Sequence, residues 1–186
     1  MIKIGLLLLV LVPIVAFPQQ DPVTYFSLGP GLGFYATPDT DDWNSMVRVS
    51  ARFRYEMIGG ELALNYKSET YNNDVVWVKS WPIQASVVLY PVSWLYVLGG
   101  AGYYDLYFDY NQNYVQLAEF ENESKQQWAP HVGLGIEKPF SRTSNLVLEA
   151  RYSRIDYEFR AFPGSDAIDT HSLSIVATMF FKFGVE

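Results

Sequence analysis

Two histidines, His131 and His171, are the residues of this 186-residue chain best suited to acid–base chemistry. His171 precedes Ser172, and Glu149 lies upstream, so the residue types for acyl transfer are present: an oriented base that activates a hydroxyl. Adjacent residues of a strand face opposite sides, however, which separates His171 from Ser172. His131 shares its face with Gly133 two positions on, and glycine offers no hydroxyl. We therefore predict no catalytic residues and no enzyme.

Metal and cofactor chemistry also lacks the residues that it needs. The absence of cysteine excludes thiolate zinc sites, iron–sulfur clusters and disulfide frameworks. Neither histidine stands at a metal-ligand spacing. The glycines at 29, 31 and 33 repeat with the period of a strand and precede no helix pattern, so they do not form a phosphate loop. We predict no metal and no cofactor.

Two acidic clusters could do chemistry of another kind, because hard divalent cations take carboxylate oxygens. The clusters are Asp39, Asp41 and Asp42, and Glu119, Glu121 and Glu123. Neither has a recognised cation-loop spacing, so a solvated acidic surface is the favoured interpretation and a cation site the alternative. The second cluster adjoins Tyr114, Val115, Leu117 and Phe120, a composition that could contact a protein partner.

The elements that must position these residues are strands, because apolar and polar residues alternate with period two along most of the chain. In the segment 45–57, Arg48, Arg52 and Arg54 share one face, while Val49 and Phe53 share the other. Gly59-Gly60 then predicts a tight turn. Eight such segments follow one another, at approximately 23–36, 45–57, 61–70, 75–90, 94–109, 126–138, 145–158 and 171–183.

The connections alternate between short turns and longer polar segments, such as 37–44 and 110–125. This rhythm over an even number of long antiparallel strands is typical of outer-membrane barrels. We therefore predict an all-β fold: an eight-stranded antiparallel up-and-down transmembrane β-barrel with short periplasmic turns and longer extracellular loops.

Composition indicates which face of each strand points inward. A soluble barrel carries about 25–35% charged residues on its outer surface, whereas this whole chain has 18%, with 17% aromatic residues. The glycines mostly share a face with polar residues, and small residues suit the crowded interior of a narrow barrel. The polar face is therefore predicted to line the lumen. A net charge of −7 argues against nucleic-acid binding.

The first residues have the layout of a secretory signal peptide. Lys3 precedes an unbroken apolar run over 4–12, Pro13 ends the run, and Ala16 is a small residue suited to cleavage. We predict a signal peptide over 1–16, with cleavage between 16 and 20, and one barrel domain over 17–186. An N-terminal anchor is the alternative, but the run is shorter than the roughly 20 residues of a spanning helix.

Several segments make the chain resemble the small outer-membrane β-barrels of the OmpA-barrel, OmpX and OmpW-like families. These are GPGLGFY, LYVLGGAGYYD, HVGLGIEKPF and the terminal SLSIVATMFFKF. The resemblance implies the outer membrane of a Gram-negative bacterium, with membrane lipids, lipopolysaccharide and the barrel assembly machinery as partners. Phe183 matches the aromatic terminal signal that this machinery reads, and Gly184-Val185-Glu186 extends past the usual end.

The lumen of such a barrel is predicted to hold a network of paired charges, because isolated buried charges are costly. Its predicted lining comprises Arg48, Arg52, Arg54, Glu56, Glu61, Lys67, Gln84, Asp105, Glu137, Glu149, Arg151 and Lys182. Candidate pairs lie among Arg54, Glu56, Glu61 and Lys67, and among Glu149, Arg151 and Lys182. Outward aromatic residues near the segment ends predict interfacial girdles: Trp77, Trp81, Trp94, Trp128 and Phe181.

Three functions remain open at this level. The favoured one is a non-enzymatic structural or surface-interaction barrel with a plugged polar lumen, since eight strands leave an interior that side chains just fill. A narrow pore for ions or small hydrophobic solutes is the alternative. A lipid-modifying barrel enzyme is the least favoured.

Overall fold

Nine β-strands form the part of the chain that the structure describes. The structure, a computed structural model, describes residues 24–38, 43–71, 76–110, 122–155 and 171–183. The strands are β1 (Thr24–Ala36), β2 (Asn44–Tyr55), β3 (Ile58–Tyr71), β4 (Val76–Ser80), β5 (Ile83–Val92), β6 (Leu95–Tyr110), β7 (Glu123–Ser141), β8 (Ser144–Ser153) and β9 (Ser172–Phe183). Among the described residues, no helix has the length and apolar character to cross a membrane.

The strands close into a ring, because every paired neighbour is antiparallel and β1 pairs with both β2 and β9. β4 and β5 both lie between β3 and β6, so the nine strands fill eight positions of the ring. The predicted eight-stranded barrel is thus confirmed, with its fourth strand in two pieces.

The break in the fourth strand falls at Trp81-Pro82. The pairing register with β3 runs on unchanged across it, from Lys67↔Ser80 to Leu64↔Ile83. Proline has no N–H to donate to a sheet. The carbonyl oxygen of Pro82 still accepts a hydrogen bond from the backbone N–H of Asn65, at 2.9 Å. The gap is therefore a local interruption in one continuous wall of the barrel.

Period-two burial follows the predicted inside and outside faces along β2. Arg48, Ser50 and Arg52 are buried, whereas Val47 and Val49 are exposed on the outer wall. A barrel that turns its apolar residues outward and its charges inward is suited to lipid on its outer surface. Most of the described outer wall shows the same preference, with exposed Leu, Ile, Val and aromatic side chains on most strands.

Three two-residue turns, at 56–57, 93–94 and 142–143, lie at one end of the barrel, here called the turn end. The opposite end is called the loop end. The first connection is Glu56-Met57, not the predicted Gly59-Gly60, which belongs to β3. Tyr55 pairs with Ile58 directly across this two-residue turn. Gly59 is needed inside β3, because a Cβ there would lie 2.6 Å from the Phe53 carbonyl oxygen.

Several predicted features lie outside the described residues. They are the signal peptide over 1–16, the acidic residues Asp39, Asp41, Asp42, Glu119 and Glu121, the loop residues Tyr114, Val115, Leu117 and Phe120, and the terminal Gly184-Val185-Glu186. Glu123, the last member of the second acidic cluster, is the first residue of β7.

Candidate functional site

The interior of the barrel holds most of the predicted charges, brought there by alternate positions of four strands. Arg48, Arg52 and Arg54 come from β2, Glu61 and Lys67 from β3, Glu137 from β7, and Glu149 and Arg151 from β8; all eight are buried. Arg52 and Arg151 are each only 1% exposed. At this depth an unpaired charge would be strongly destabilising, so the partners of these residues determine what the lumen can do.

Glu61 lies between two arginines near the centre of the lumen. Arg52, its direct neighbour on β2, donates to Oε2 from Nε at 2.9 Å and also from Nη2. Arg151 reaches Oε1 from the opposite wall, with Nη2 at 2.6 Å. The carboxylate therefore joins β2, β3 and β8 through charge-assisted hydrogen bonds, which are the stronger class of hydrogen bond.

Glu149 is the second junction. Its Oε1 accepts from Arg48 Nη1 at 2.6 Å and lies 2.8 Å from Arg151 Nη2. Its Oε2 accepts from the Tyr96 hydroxyl at 2.8 Å and lies 3.4 Å from Arg52 Nη2. Both oxygens of this carboxylate are thereby satisfied, by side chains from β2 and β6 and by Arg151 of the same strand.

Glu137 is a third junction, nearer the turn end. It accepts hydrogen bonds from the hydroxyls of Tyr25 and Tyr90 and from the amide of Asn145. Arg52 Nη1 lies 3.5 Å from its Oε2, so the Arg52 guanidinium contacts all three buried glutamates. Arg52 is therefore the common cation of the network.

Tyrosines form a component of the site that the sequence analysis missed. Tyr90 and Tyr96 lie on the inner face, and their rings pack 5.5 Å apart between centroids. The guanidinium carbon of Arg54 lies 3.6 Å from the centroid of Tyr90, and that of Arg52 lies 4.4 Å from the centroid of Tyr96. One signal was present: Tyr90 has the same parity on β5 as the polar residues Gln84 and Ser86.

Two residues of the predicted lumen lining, one of them also a predicted member of the charge network, lie outside the lumen. Glu56 is exposed in the β2–β3 turn with a φ of 51°, because the strand ends at Tyr55 and the alternation of faces stops there. Arg54 Nε contacts the Glu56 backbone carbonyl at 3.0 Å, so the predicted side-chain pair is not formed. Asp105 lies on the outer face of β6, while its neighbours Tyr104 and Leu106 are buried.

The two lysines of the predicted network occupy its margins. Lys67, near the loop end, donates to Ser172 Oγ at 3.0 Å and lies 4.6 Å from the ring centroid of Tyr35. Lys182, near the turn end, is half-buried, with Nζ 5.5 Å from the ring centroid of Tyr25. The predicted grouping of Lys182 with Glu149 and Arg151 is replaced by this ring contact.

The barrel interior also contains an apolar region that the predicted polar lining does not include. Towards the loop end, the side of the inner surface formed mainly by β4 and β6 is apolar, and a buried cluster lies there beside the charges. Its members are Val76, Val78, Tyr104, Leu106, Phe108, Tyr110, Ala129 and Ile155. Gln84 connects the two regions, since it donates to Tyr104 Oη at 2.7 Å and accepts from Arg151 Nη1 at 2.7 Å.

The residue types for acyl transfer are not brought together. His171 packs edge-on against Tyr152, with ring centroids 5.9 Å apart, whereas Ser172 is buried and bonded to Lys67. His131 does meet a hydroxyl, because its Nε2 lies 2.8 Å from Ser86 Oγ on β5. Both members of that pair are buried, and His131 Nδ1 has no hydrogen-bond partner to orient the ring as a base.

Within the part of the chain that the structure describes, no group of three His, Asp or Glu side chains is placed so that it could hold a metal ion.

The five predicted girdle residues are all on the outer wall, with exposed fractions from 44% to 69%. Trp94 and Phe181 lie towards the turn end, and Trp77, Trp81 and Trp128 towards the loop end. Phe183, the last residue of β9, is also outward-facing and contacts Phe26 at 6.4 Å between ring centroids.

Comparison with known proteins adds a family and a set of similar folds. The sequence profile of a family described as "Outer membrane protein beta-barrel domain" matches residues 4–181. No curated protein sequence matches the chain.

Among solved structures, the outer membrane protein OprG from Pseudomonas aeruginosa has a TM-score of 0.59 and 15% identity, covering 88% of this chain and 98% of that one. Neisserial surface protein A has a TM-score of 0.57 and 13% identity, with 88% and 100% covered. Ail, the attachment invasion locus protein of Yersinia pestis, has a TM-score of 0.53 and 13% identity, again with 88% and 100% covered. At these identities the likeness is one of fold.

Proposed function

The chain belongs to the family of outer membrane protein β-barrel domains, and on that premise we propose that it is a closed, non-enzymatic barrel that acts through its surface. The single observation that carries this proposal is the charge network across the lumen. Four arginines and three glutamates from β2, β3, β7 and β8 meet in the interior, and their contacts join opposite walls.

The network favours a plug over a pore because opening it would separate buried opposite charges. Each separated charge would be left uncompensated in a region of low dielectric, at several kcal/mol per ion. Tyr96 and Phe180 close against the Arg52 guanidinium from two further sides, with centroids at 4.4 and 4.8 Å. An eight-position barrel has an interior that side chains of this size can fill.

The proposed placement puts the turn end in the periplasm and the loop end outside the cell, as is typical of this architecture. The signal peptide over 1–16 would direct the chain across the inner membrane. Outward Trp94 and Phe181 would mark one membrane interface, and Trp81 and Trp128 the other. The proposed partners are membrane lipids, lipopolysaccharide, the barrel assembly machinery acting on Phe183, and a protein at the loop that contains Tyr114 and Phe120.

Planar-bilayer recording tests the proposal against the narrow-pore alternative. The purified full-length barrel is incorporated into the bilayer, insertion is verified by protease protection, and current is recorded over a range of voltages. A plugged barrel gives no reproducible ohmic steps, whereas an open porin in the same bilayer gives them as the positive control. Stable ohmic channels from the wild-type protein would replace the plug with the pore.

A further inference from the structure

An open cleft of about 430 Å³ lies on the outer wall of the barrel near the loop end. Its lining consists of Lys79, Trp81, Asp105, Tyr107, Ser124 and Gln126. The proposed function leaves this cleft unused, since the charge network lies inside the barrel and not on its outer wall.

The register of the sheet arranges the six side chains in two rows. Lys79 on β4 pairs with Tyr107 on β6, which pairs with Ser124 on β7. In the next row, Trp81 donates its backbone N–H to the Asp105 carbonyl at 3.0 Å, and Asp105 pairs with Gln126. Cross-strand neighbours are about 5 Å apart and alternate residues of a strand about 7 Å apart. The rows therefore frame a patch about the size of one sugar ring.

The cleft lies beside the outward aromatic residues near the loop end. Trp81 packs against Tyr66, and Trp128 against Tyr103, each pair with ring centroids 5.4 Å apart. Towards the turn end, the next outward positions include Ile83. A row of Trp and Tyr above apolar side chains is typical of the membrane–water interface, so the cleft lies at the height of lipid headgroups.

The side chains of the cleft suit a neutral, hydroxyl-rich ligand. Trp81 and Tyr107 are 44% and 37% exposed, and such ring faces attract the C–H edges of a sugar. Asp105 and Gln126 can accept hydrogen bonds from sugar hydroxyls, and Gln126, Ser124 and Lys79 can donate them.

The charges of the cleft disfavour an anionic headgroup. Among the described residues that line the cleft, Lys79 is the only cation and Asp105 the only carboxylate, and Lys79 Nζ lies 3.9 Å from Asp109 Oδ2. A phosphate placed there would meet two carboxylates for one ammonium group. An uncharged sugar meets no such repulsion.

We propose that this cleft binds the neutral sugar headgroup of a glycolipid in the outer leaflet. The inference rests on the membrane placement given in the proposed function. The lipid tails would lie along the apolar wall below Trp81, and the sugar would sit against Trp81 and Tyr107 with its hydroxyls on Asp105 and Gln126.

The test uses the full chain in phosphatidylcholine nanodiscs that contain a minor fraction of glucosyl-diacylglycerol with a photoreactive diazirine on the sugar. Cross-linked peptides are mapped by mass spectrometry. Labelling is expected on the cleft strands β4, β6 and β7. It should fall about fivefold in Asp105→Ala and in Gln126→Ala, as loss of one hydrogen bond implies. Thr70→Ala, a matched outward polar position on β3 beside the cleft, should leave the labelling unchanged.

Three outcomes would overturn the inference. The first is labelling of equal strength around the whole barrel, and the second is labelling that both cleft variants leave intact. The third is equally strong binding of free methyl glucoside by the barrel in plain phosphatidylcholine nanodiscs, which would make the ligand a soluble sugar. A parallel diazirine at the tip of a phosphatidylcholine acyl chain checks the membrane placement: if it labels Tyr107 and Ser124, the placement itself is wrong. If only the sugar site fails, the plugged barrel still stands, because the bilayer recording tests it separately.

Discussion

Arg151 on β8 and Glu61 on β3 join diametrically opposite walls of the barrel, with Nη2 and Oε1 2.6 Å apart. Three ring positions lie between the two strands in either direction around the sheet. One arginine and one glutamate thus span the full width of the lumen. Because both side chains are 1% exposed, no layer of solvent separates the two walls at this level.

The contact between Arg151 and Glu61 should contribute measurably to stability. We expect Glu61→Gln to lower the free energy of unfolding by about 3 kcal/mol, since Arg52 and Arg151 each lose a buried partner. The double variant with Arg151→Gln should be less destabilised than the sum of the single variants, by about 1–3 kcal/mol. Urea unfolding in lipid vesicles, followed by tryptophan fluorescence, measures both quantities.

The exposed pair Lys79–Asp109, at 3.9 Å, supplies the control for that measurement. Its removal by Lys79→Ala should change the free energy by about 0–1 kcal/mol. Strict additivity of the Glu61 and Arg151 substitutions would mean that the two side chains do not interact in the folded barrel.

Removal of both central arginines should open the lumen. The double variant Arg52→Ala/Arg151→Ala empties the space between Glu61, Glu137 and Glu149. The remaining carboxylates should make the path prefer cations, as rings of acidic side chains do. Single-channel recording should then show ohmic steps, and a salt gradient should shift the reversal potential towards that of the cation.

Lys182→Ala is the matched control for the opened lumen, because Lys182 lies over Tyr25 at the turn end and spans no part of the interior. The Lys182→Ala barrel, like the wild type, should show no ohmic current steps. If the double variant folds and still passes no current, the charge network is not what closes the barrel.

Outer-wall substitutions should impair assembly. Val49, at the middle of β2, is 59% exposed on the outer face. Val49→Arg should cost about 2–4 kcal/mol if the site lies near the bilayer midplane, and Leu148→Arg on β8 should behave alike. The folded fraction after dilution from urea into vesicles can be read from heat-modifiable migration on a gel.

Ser50→Ala tests the inner face beside Val49. The hydroxyl of Ser50 is buried with no hydrogen-bond partner, so its removal should leave assembly unchanged. The assignment of inner and outer faces would be wrong if Val49→Arg assembled as well as Ser50→Ala.

Gly100 should tolerate no larger residue. A Cβ at this position would lie 1.9 Å from the Ala85 carbonyl oxygen on the paired strand β5, so Gly100→Ala must displace backbone. We expect a loss of about 1–3 kcal/mol in the free energy of unfolding. Gly60→Ala is the control, since a Cβ there meets no atom within 4 Å. Equal stability of the two variants would show that β5 and β6 do not approach as closely as this.

Phe183 should affect the rate of assembly more than the stability of the folded barrel. Its side chain is 52% exposed on the outer wall, and its ring contact with Phe26, at 6.4 Å, is loose. Phe183→Ala should therefore slow insertion by reconstituted assembly machinery while leaving urea unfolding nearly unchanged. Phe140→Ala, at another exposed outer-wall aromatic residue near the turn end, should not slow it. Equal insertion rates for the two variants would mean that Phe183 is not the assembly signal.

The sequence by itself determined which face of most strands points inward. Alternation of arginine with valine along β2 sorts side chains between two environments, and lipid can accept only the valines. The same alternation placed Glu61, Glu149 and Arg151 in the interior. The alternation assigned Asp105 to the wrong face because, near the loop end, polar side chains also occur on the outer wall beyond the aromatic row of Trp81 and Trp128. Polarity there no longer distinguishes the lumen from the surroundings.

Only the tertiary structure decided which interior residues meet. Alternation assigns a face but not a height, and the height of a residue in a barrel depends on strand stagger as well as sequence position. The contact of Ser86 with His131, 2.8 Å apart, and that of Arg151 with Glu61 both depend on this stagger. A shift of two residues in the register of one strand would keep every face assignment and break both contacts, so a pattern of period two could not have specified them.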